Sequence, residues 1–214
     1  MRIFIGYDPR QPIAAQVLMH SIYSRASRPV SITPLVLSQL PVQRMGLTEF
    51  SFSRYLVPFL CKYEGYALFM DADMLCLADI CELEDICRPQ VKGVCVVKNA
   101  ERRFEWPSLM YFNNAHCKEL KPAVVESGHP QRLDWSAGGI GEIPSEWNHL
   151  VGYDAMRTGA KVVHFTQGIP CFPETKGAEY SGEWIREAKQ VTSSVSWEAM
   201  MGNSVHREAV LKTA

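Results

Sequence analysis

An α/β fold, with a mostly parallel sheet covered by helices on both faces, is predicted by three observations. Strand-like and helix-like segments alternate along the chain, the pattern of crossover units rather than of successive hairpins. Tyr66-Ala67-Leu68-Phe69-Met70 reads as a buried strand that ends in the triplet Asp71-Ala72-Asp73. With 214 residues, 47% of them hydrophobic and 21% charged, the chain has the composition of a globular domain and enough length for one substantial core plus a small appendage.

Arg2–Gly6 is the first strand, followed by a turn through Tyr7-Asp8-Pro9. A helix is predicted over about Gln11–Arg25, with Ile13, Ala14, Val17, Leu18 and Ile22 on its buried face. Val30–Leu37 is the second strand. After a loop holding Pro41 and Gly46, a helix starts near Ser51 or Ser53, with Phe52, Tyr55, Leu56, Phe59 and Leu60 as its apolar stripe and Pro58 kinking or delaying it. Tyr66–Met70 is the third strand. Ala78–Asp85 reads as a short helix, Gly93–Lys98 and Ser108–Asn113 as strands, and Lys118–Glu126 as a helix. The stretch from Gly128 to Tyr153, rich in Gly, Trp, His, Asp and Pro, reads as an irregular loop that carries binding chemistry. Lys161–Phe165 is the last strand. From Glu179 the chain turns helical, with Trp184, Ile185, Ala188 and Val191 on one side, so the expected organisation is a domain over 1–178 with a helical tail, 179–214, packed on it.

A net charge of −1 provides no strong nucleic-acid signal and no general attraction to an anionic membrane. The first strand leaves no room for a secretory leader, and no apolar stretch approaches the roughly 20 residues of a transmembrane helix, so a cytoplasmic location is expected. Seven cysteines without a Cys-x-x-Cys pair read as core thiols in a reducing compartment. His116 and Cys117 are adjacent potential ligands without a second pair in register.

The Asp pair carries the chemistry. Burying an ionised carboxylate costs several kcal/mol unless it is paired or bound to a metal. Two carboxylates two residues apart on a strand share a face, and a divalent cation held by both, with open positions for substrate phosphates, resolves the cost. In open α/β sheets ligands bind at the carboxyl ends of the strands, where Tyr7, Asp8, Asp71 and Asp73 all fall. His164 in the last strand joins them as a third ligand. An imidazole beside carboxylates suits Mn²⁺ better than Mg²⁺, although Mg²⁺ remains open.

Phe50-Ser51-Phe52-Ser53-Arg54-Tyr55-Leu56-Val57-Pro58-Phe59-Leu60, then Tyr66 to Asp73, then Asp79-Ile80-Cys81-Glu82-Leu83, resemble the central block of retaining glycosyltransferases of the GT-A fold. The resemblance is to glycosyltransferase family 8, the glycogenin-like and bacterial lipopolysaccharide galactosyltransferase-like enzymes and their small bacterial and phage relatives, and it spans Met1 to about Phe172. It implies a nucleotide-sugar donor, a UDP-sugar foremost, whose diphosphate is bridged by Mn²⁺ to Asp71, Asp73 and His164, and an unspecified saccharide or other hydroxyl acceptor. By the same resemblance Tyr7 and Asp8 hold the base, Arg54 approaches phosphate and sugar, and Asn113 contacts the donor sugar. Asp134, in Asp134-Trp135, stands where the family has an Asp-Gln pair near the reacting carbon. Where the family has a diphosphate-binding lysine after the late His, this chain has Pro170, and backbone N–H groups around Gln167 and Gly168, or Lys176, are the substitutes. Trp147 and Asn148 read as core packing or as an acceptor platform.

Two rival readings belong to other classes. An Asp-x-Asp after a strand also occurs in haloacid-dehalogenase-like phosphatases, but there it comes early in the chain and has acidic partners that are missing here. A non-catalytic nucleotide-sugar-binding protein is the stronger rival, because the missing lysine and the altered Asp-Gln pair are changes that weaken catalysis. Neither donor sugar, acceptor nor oligomeric state is written in the residues.

Overall fold

The computed structural model describes residues 1–193 and Glu208. In chain order it contains β1 (Arg2–Gly6), α1 (Pro12–Tyr23), β2 (Ser31–Leu35), α2 (Phe50–Ser53), α3 (Val57–Leu60), β3 (Tyr66–Met70), β4 (Met74–Cys76), α4 (Glu82–Cys87), β5 (Val94–Val97), β6 (Leu109–Asn113), α5 (Pro122–Ser127), β7 (Ile140–Ile143), β8 (His149–Leu150), β9 (Val162–His164) and α6 (Ser181–Ser193). Six strands form the main sheet in the order β2-β1-β3-β6-β5-β7, and β4-β9-β8 form a small second sheet. Within the main sheet β6 runs against its neighbours β3 and β5, while the β1–β2, β1–β3 and β5–β7 pairs are parallel. The expected mostly parallel sheet is therefore present.

Side chains alternate between two cores because successive residues of a strand point to opposite faces. Ile3, Ile5, Leu68 and Met70 pack with α1, α4 and α6 on one face. Phe4, Ala67, Phe69 and Phe112 pack with Tyr55, Leu56, Val57, Val125 and Trp135 on the other. Both faces are thus dry, and the strand sequences lack the polar alternation of a half-exposed sheet.

Several local readings are corrected. Ile13 is 38% exposed, because it sits at the edge of the α1 stripe formed by Ala14, Val17, Leu18 and Ser21. The helix expected from residue 51 is split into α2, a 3-10 turn over Arg54–Leu56, and α3, with Pro58 in the first turn of α3 where its missing N–H costs nothing. α4 begins later than expected, since Asp79 Oδ1 accepts the N–H of Cys81 and of Ser27 and holds the preceding residues in a turn. α5 is likewise shorter than expected and starts at Pro122. The supposed loop from 128 to 153 contains β7 and β8, strands of four and two residues, which are too short for periodicity to reveal. Asp71 and Asp73 lie in the bend between β3 and β4 rather than on a strand, so a shared strand face is not what brings them together.

The helical reading after Glu179 corresponds to α6, which lies against α1. Trp184 is 1% exposed, and Ile185, Ala188 and Val191 join the same core. Residues 194–207 and 209–214 of the expected tail lie outside the described residues. Glu187 anchors the helix pair: its carboxylate accepts from His20 Nδ1 at 2.5 Å and from Arg25 Nη2 at 2.8 Å while only 4% of its side chain is exposed. Burial pushes the Glu187 carboxyl up, but the Arg25 and His20 hydrogen bonds more than offset it and hold the group below its ordinary range. Trp184→Ala should lower unfolding free energy by about 3–5 kcal/mol, and Glu187→Gln by about 2 kcal/mol through lost charge-assisted bonds. Because the folded-state pKa is depressed, the Glu187 contribution is present above the unfolded glutamate pKa of about 4.3 and is lost as pH falls through the folded value. Urea melts of wild type and Glu187→Gln across pH should therefore converge in acid, and a gap that persists there would contradict the assignment.

Candidate metal and sugar-donor site

The carboxyl ends of β1 and β3 lie side by side, with Ile5 opposite Met70, so the residues that follow each strand meet at one edge. Antiparallel pairing of β4 with β9 sets Met74 opposite His164, and the Phe165 N–H donates to the Asp73 carbonyl at 2.9 Å. These links bring ligand atoms of Asp71, Asp73 and His164 within 4.8 Å of one another. His164 Nε2 lies 3.3 Å from Asp73 Oδ1. The buried Oδ1 atoms of Asp71 and Asp73 have ion-pair contacts, to Arg54 Nη2 and to His164 Nε2, but no well-formed hydrogen bond. Two such carboxylate oxygens beside an imidazole nitrogen fit a divalent cation.

Arg54 makes the buried acid tolerable. Its Nη2 is 3.0 Å from Asp71 Oδ1, its Nη1 donates to the Pro107 carbonyl at 2.8 Å, and its Nε donates to the Phe50 carbonyl at 3.2 Å. The guanidinium is therefore engaged with Asp71 and two carbonyls. Burial pushes Asp71 up to about 7 against the pull of Arg54, with Asp73 adding to the rise. For His164 burial pulls the pKa down, but Asp73 overcomes it, with help from Asp71 and Glu105, and the imidazole is pushed up to about 9. At neutral pH and without a metal, an imidazolium thus provides the positive charge that the acidic pair demands.

Asp8 is 6% exposed and is held by Arg10, whose Nη2 lies 2.6 Å from Oδ2 and whose Nε lies 2.9 Å from Oδ1. The Arg10 hydrogen bond keeps its carboxyl below the usual range against the opposing effect of burial. Tyr7 is half-buried beside it. Asp8, Ala72 and Asp73 line one small crevice of about 70 Å³. Tyr7 and Asp8 are thus brought to the same edge as the three candidate ligands.

Asn113 is not. Asn113 pairs with Tyr66 at the far end of β3, five residues before Asp71 and about 17 Å away along the strand. The cause is the reversed direction of β6, whose beginning, not its end, lies beside the Asp pair. Ser108 occupies that place, and its carbonyl accepts the Asp71 N–H at 2.9 Å. Asp134 is exposed on the wall of a cleft of about 790 Å³, together with Arg54, Tyr55, Phe104 and Arg132. Gln167 and Gly168 line a different cleft of about 510 Å³. The Gly168 N–H donates to the Phe165 carbonyl at 2.9 Å, so it is already used within the turn. Lys176 is exposed. Trp147 is fully buried, which makes it core rather than an acceptor platform. The Cys117 thiol donates to the carbonyls of Gly93 and Asn113, and neither it nor His116 joins a metal cluster among the described residues.

Sequence reasoning missed Glu105 and the role of Asn148. Asn148 is 4% exposed with Oδ1 3.2 Å from His164 Nδ1, and Glu105 Oε2 lies 3.9 Å from the same nitrogen. Both sit in short 3-10 or irregular segments, where no periodicity marks a side chain as inward.

This sheet order, with a bend of two aspartates at its carboxyl edge and a histidine from a second small sheet, is the GT-A glycosyltransferase architecture. Among solved structures the chain is similar to galactosyltransferase LgtC in complex with donor and acceptor sugar analogues, at TM-score 0.61 and 11% identity over 90% of this chain and 96% of that one. It is also similar to the bifunctional glycosyltransferase WbbM (TM-score 0.63, 14% identity, 99% of this chain), of which it spans 51%, and to GlyE from Streptococcus pneumoniae (TM-score 0.61, 12% identity, 92% of this chain), of which it spans 64%. At these identities the likeness is one of fold. No family model matches the chain. It is 36% identical to Protein CDI of Arabidopsis thaliana over 234 aligned positions, covering 92% of this chain and 90% of that protein, and it belongs to the same family. No helix among the described residues is long and apolar enough to cross a membrane.

Arg54→Leu should remove the partner of the buried Asp71 carboxyl, and breaking such a pair costs up to about 3–5 kcal/mol, less where the acid escapes by taking up a proton. Denaturant unfolding at neutral pH reads this directly. A loss below about 1 kcal/mol would mean that Asp71 is stabilised by something other than Arg54.

Proposed function

We propose that this protein is a metal-dependent glycosyltransferase that moves a sugar from a nucleotide-sugar donor, a UDP-sugar foremost, to the hydroxyl of a saccharide or other acceptor with retention of configuration. The observation that carries the reading is the convergence of Asp71, Asp73 and His164 at the carboxyl edge of a GT-A sheet. These three residues would hold Mn²⁺, for which the nitrogen ligand speaks, with Mg²⁺ the second choice. Bound there, a dication supplies charge stabilisation to a departing diphosphate.

In this reading the chain's own residues divide the work. Asp71 is kept in place by Arg54 and by its N–H bond to the Ser108 carbonyl, so one ligand is rigid before any cation arrives. Tyr7 and Asp8, at the same edge, receive the base. Asp134, with Arg103 and Arg132 on the wall of the large cleft beside Arg54, lies where an acceptor could enter. No carboxylate is assigned as covalent nucleophile. Retention, which the family resemblance alone implies, then calls for front-face return, in which the leaving phosphate takes the acceptor proton. Six of the seven cysteines are buried free thiols, which supports a reducing, cytoplasmic setting.

Calorimetric titration with UDP should give tight binding with Mn²⁺, weaker binding with Mg²⁺ and little in chelator. Asp73→Asn keeps the shape but removes a charge worth several kcal/mol, so hydrolysis or transfer from the accepted donor should fall about 10²–10⁴-fold. Unchanged turnover would refute the metal role of Asp73. Absence of turnover by wild type across a broad donor and acceptor panel would favour a nucleotide-sugar-binding protein instead.

The pH dependence has a fixed sign. Metal ligation needs His164 neutral and Asp71 ionised, and the folded-state values of about 9 and about 7 mean that both protons must leave. Mn²⁺ affinity should therefore weaken as pH is lowered from about 8.5 to 6.5, by tenfold or more. Affinity independent of pH over that interval would exclude His164 as a ligand.

A further inference from the structure

Resting on the metal reading above, we infer that Asn148 is a positioning residue that fixes the tautomer of His164, through a hydrogen-bond relay whose direction is imposed by the backbone carbonyl of Glu105. The relay has three links. Ser108 Oγ lies 2.6 Å from the Glu105 carbonyl oxygen, Asn148 Nδ2 lies 2.8 Å from Ser108 Oγ, and Asn148 Oδ1 lies 3.2 Å from His164 Nδ1.

Each link leaves one polarity. A carbonyl oxygen only accepts, so the Ser108 hydroxyl spends its single hydrogen on Glu105. Ser108 Oγ can then only accept from Asn148, which therefore presents its NH₂ group to the serine. The amide oxygen is left facing His164, and an oxygen demands a hydrogen, so Nδ1 carries it. The lone pair of the neutral ring thus belongs to Nε2, the nitrogen that faces Asp73 at 3.3 Å. Asn148 and Ser108 are 4% and 1% exposed, so water does not compete for these bonds.

The relay therefore does, once the ring gives up a proton to a metal, what outer partners of ligating histidines generally do, which is to orient the ring and choose its donor atom. It also gives Ser108 a second duty. Its carbonyl positions Asp71 while its hydroxyl sets the polarity that reaches His164, so two ligands from two sheets are aligned through one residue at the start of β6.

The test is Mn²⁺ affinity by calorimetry on the full chain, without donor or acceptor, with thermal melting measured alongside. Asn148→Leu should weaken Mn²⁺ binding about 10- to 100-fold. Asn148→Asp, which still accepts from Nδ1, should restore most of that affinity even if its melting temperature stays as low as that of the leucine variant. Ser108→Ala removes only the direction of the relay and should weaken binding less, in the same sense. In the Cd²⁺-loaded wild type, NMR of the histidine nitrogens should show metal on Nε2 and a proton on Nδ1. Metal on Nδ1, or equal affinity in Asn148→Leu and wild type, would overturn the relay while leaving the metal site standing. A wild type that binds no Mn²⁺ would overturn both.

Discussion

The carboxyl edge of the sheet is organised by the cost of keeping the Asp71 carboxylate out of water. Without compensation the charge would be lost to protonation or the bend would open toward solvent. Arg54 provides the compensation, and to do so it must itself be buried, stacked near Phe69 and Phe50 and tied to two carbonyls. That requirement shapes the chain around it. The 3-10 turn over Arg54–Leu56 delivers the guanidinium inward, and Pro107, just ahead of β6, turns a carbonyl toward it. The balance is incomplete, since one guanidinium nitrogen is shared between both Asp71 oxygens and burial still holds the carboxyl at about 7, a residual demand that a cation can satisfy.

Much of the edge was legible because a buried carboxylate is improbable without a reason, and that improbability can be read from an apolar run such as Ala67–Met70. His164 was legible for the same reason, as a polar side chain in the apolar strand Val162–Phe165. What failed was whatever depended on strand direction. A run of apolar residues looks the same forward and backward, so Leu109–Asn113 could be read as a strand but not as one running against its neighbours. Asn113, assigned by family resemblance, lies at the other end of that strand from the Asp pair. Asn148 and Glu105 were illegible for another reason, because their roles depend on long-range contacts that leave no local pattern.

The same distinction applies to the fold. α1 and β3 were legible because each has enough residues for a period to repeat. β4, β7 and β8, with three, four and two residues, exist through pairing alone. Yet β4 is decisive, since its register against β9 carries His164 to Asp73. The shortest elements here hold the geometry, while the longest supply the bulk.

Because the three candidate ligands come from two separate sheets, an ion among them would act as a rivet across the seam. Asp71 directly follows a strand of the large sheet, His164 ends a strand of the small one, and Asp73 lies further along the bend between. The seam is otherwise tied from behind by α1, where Ser21 accepts the Cys76 N–H at 3.1 Å. Cohesion between the sheets and occupancy of the cation site are thereby terms in one thermodynamic cycle. A change far from any ligand, at the back of the seam, would be felt at the front as altered ion affinity, and the ion in turn would lend its binding energy to the joint.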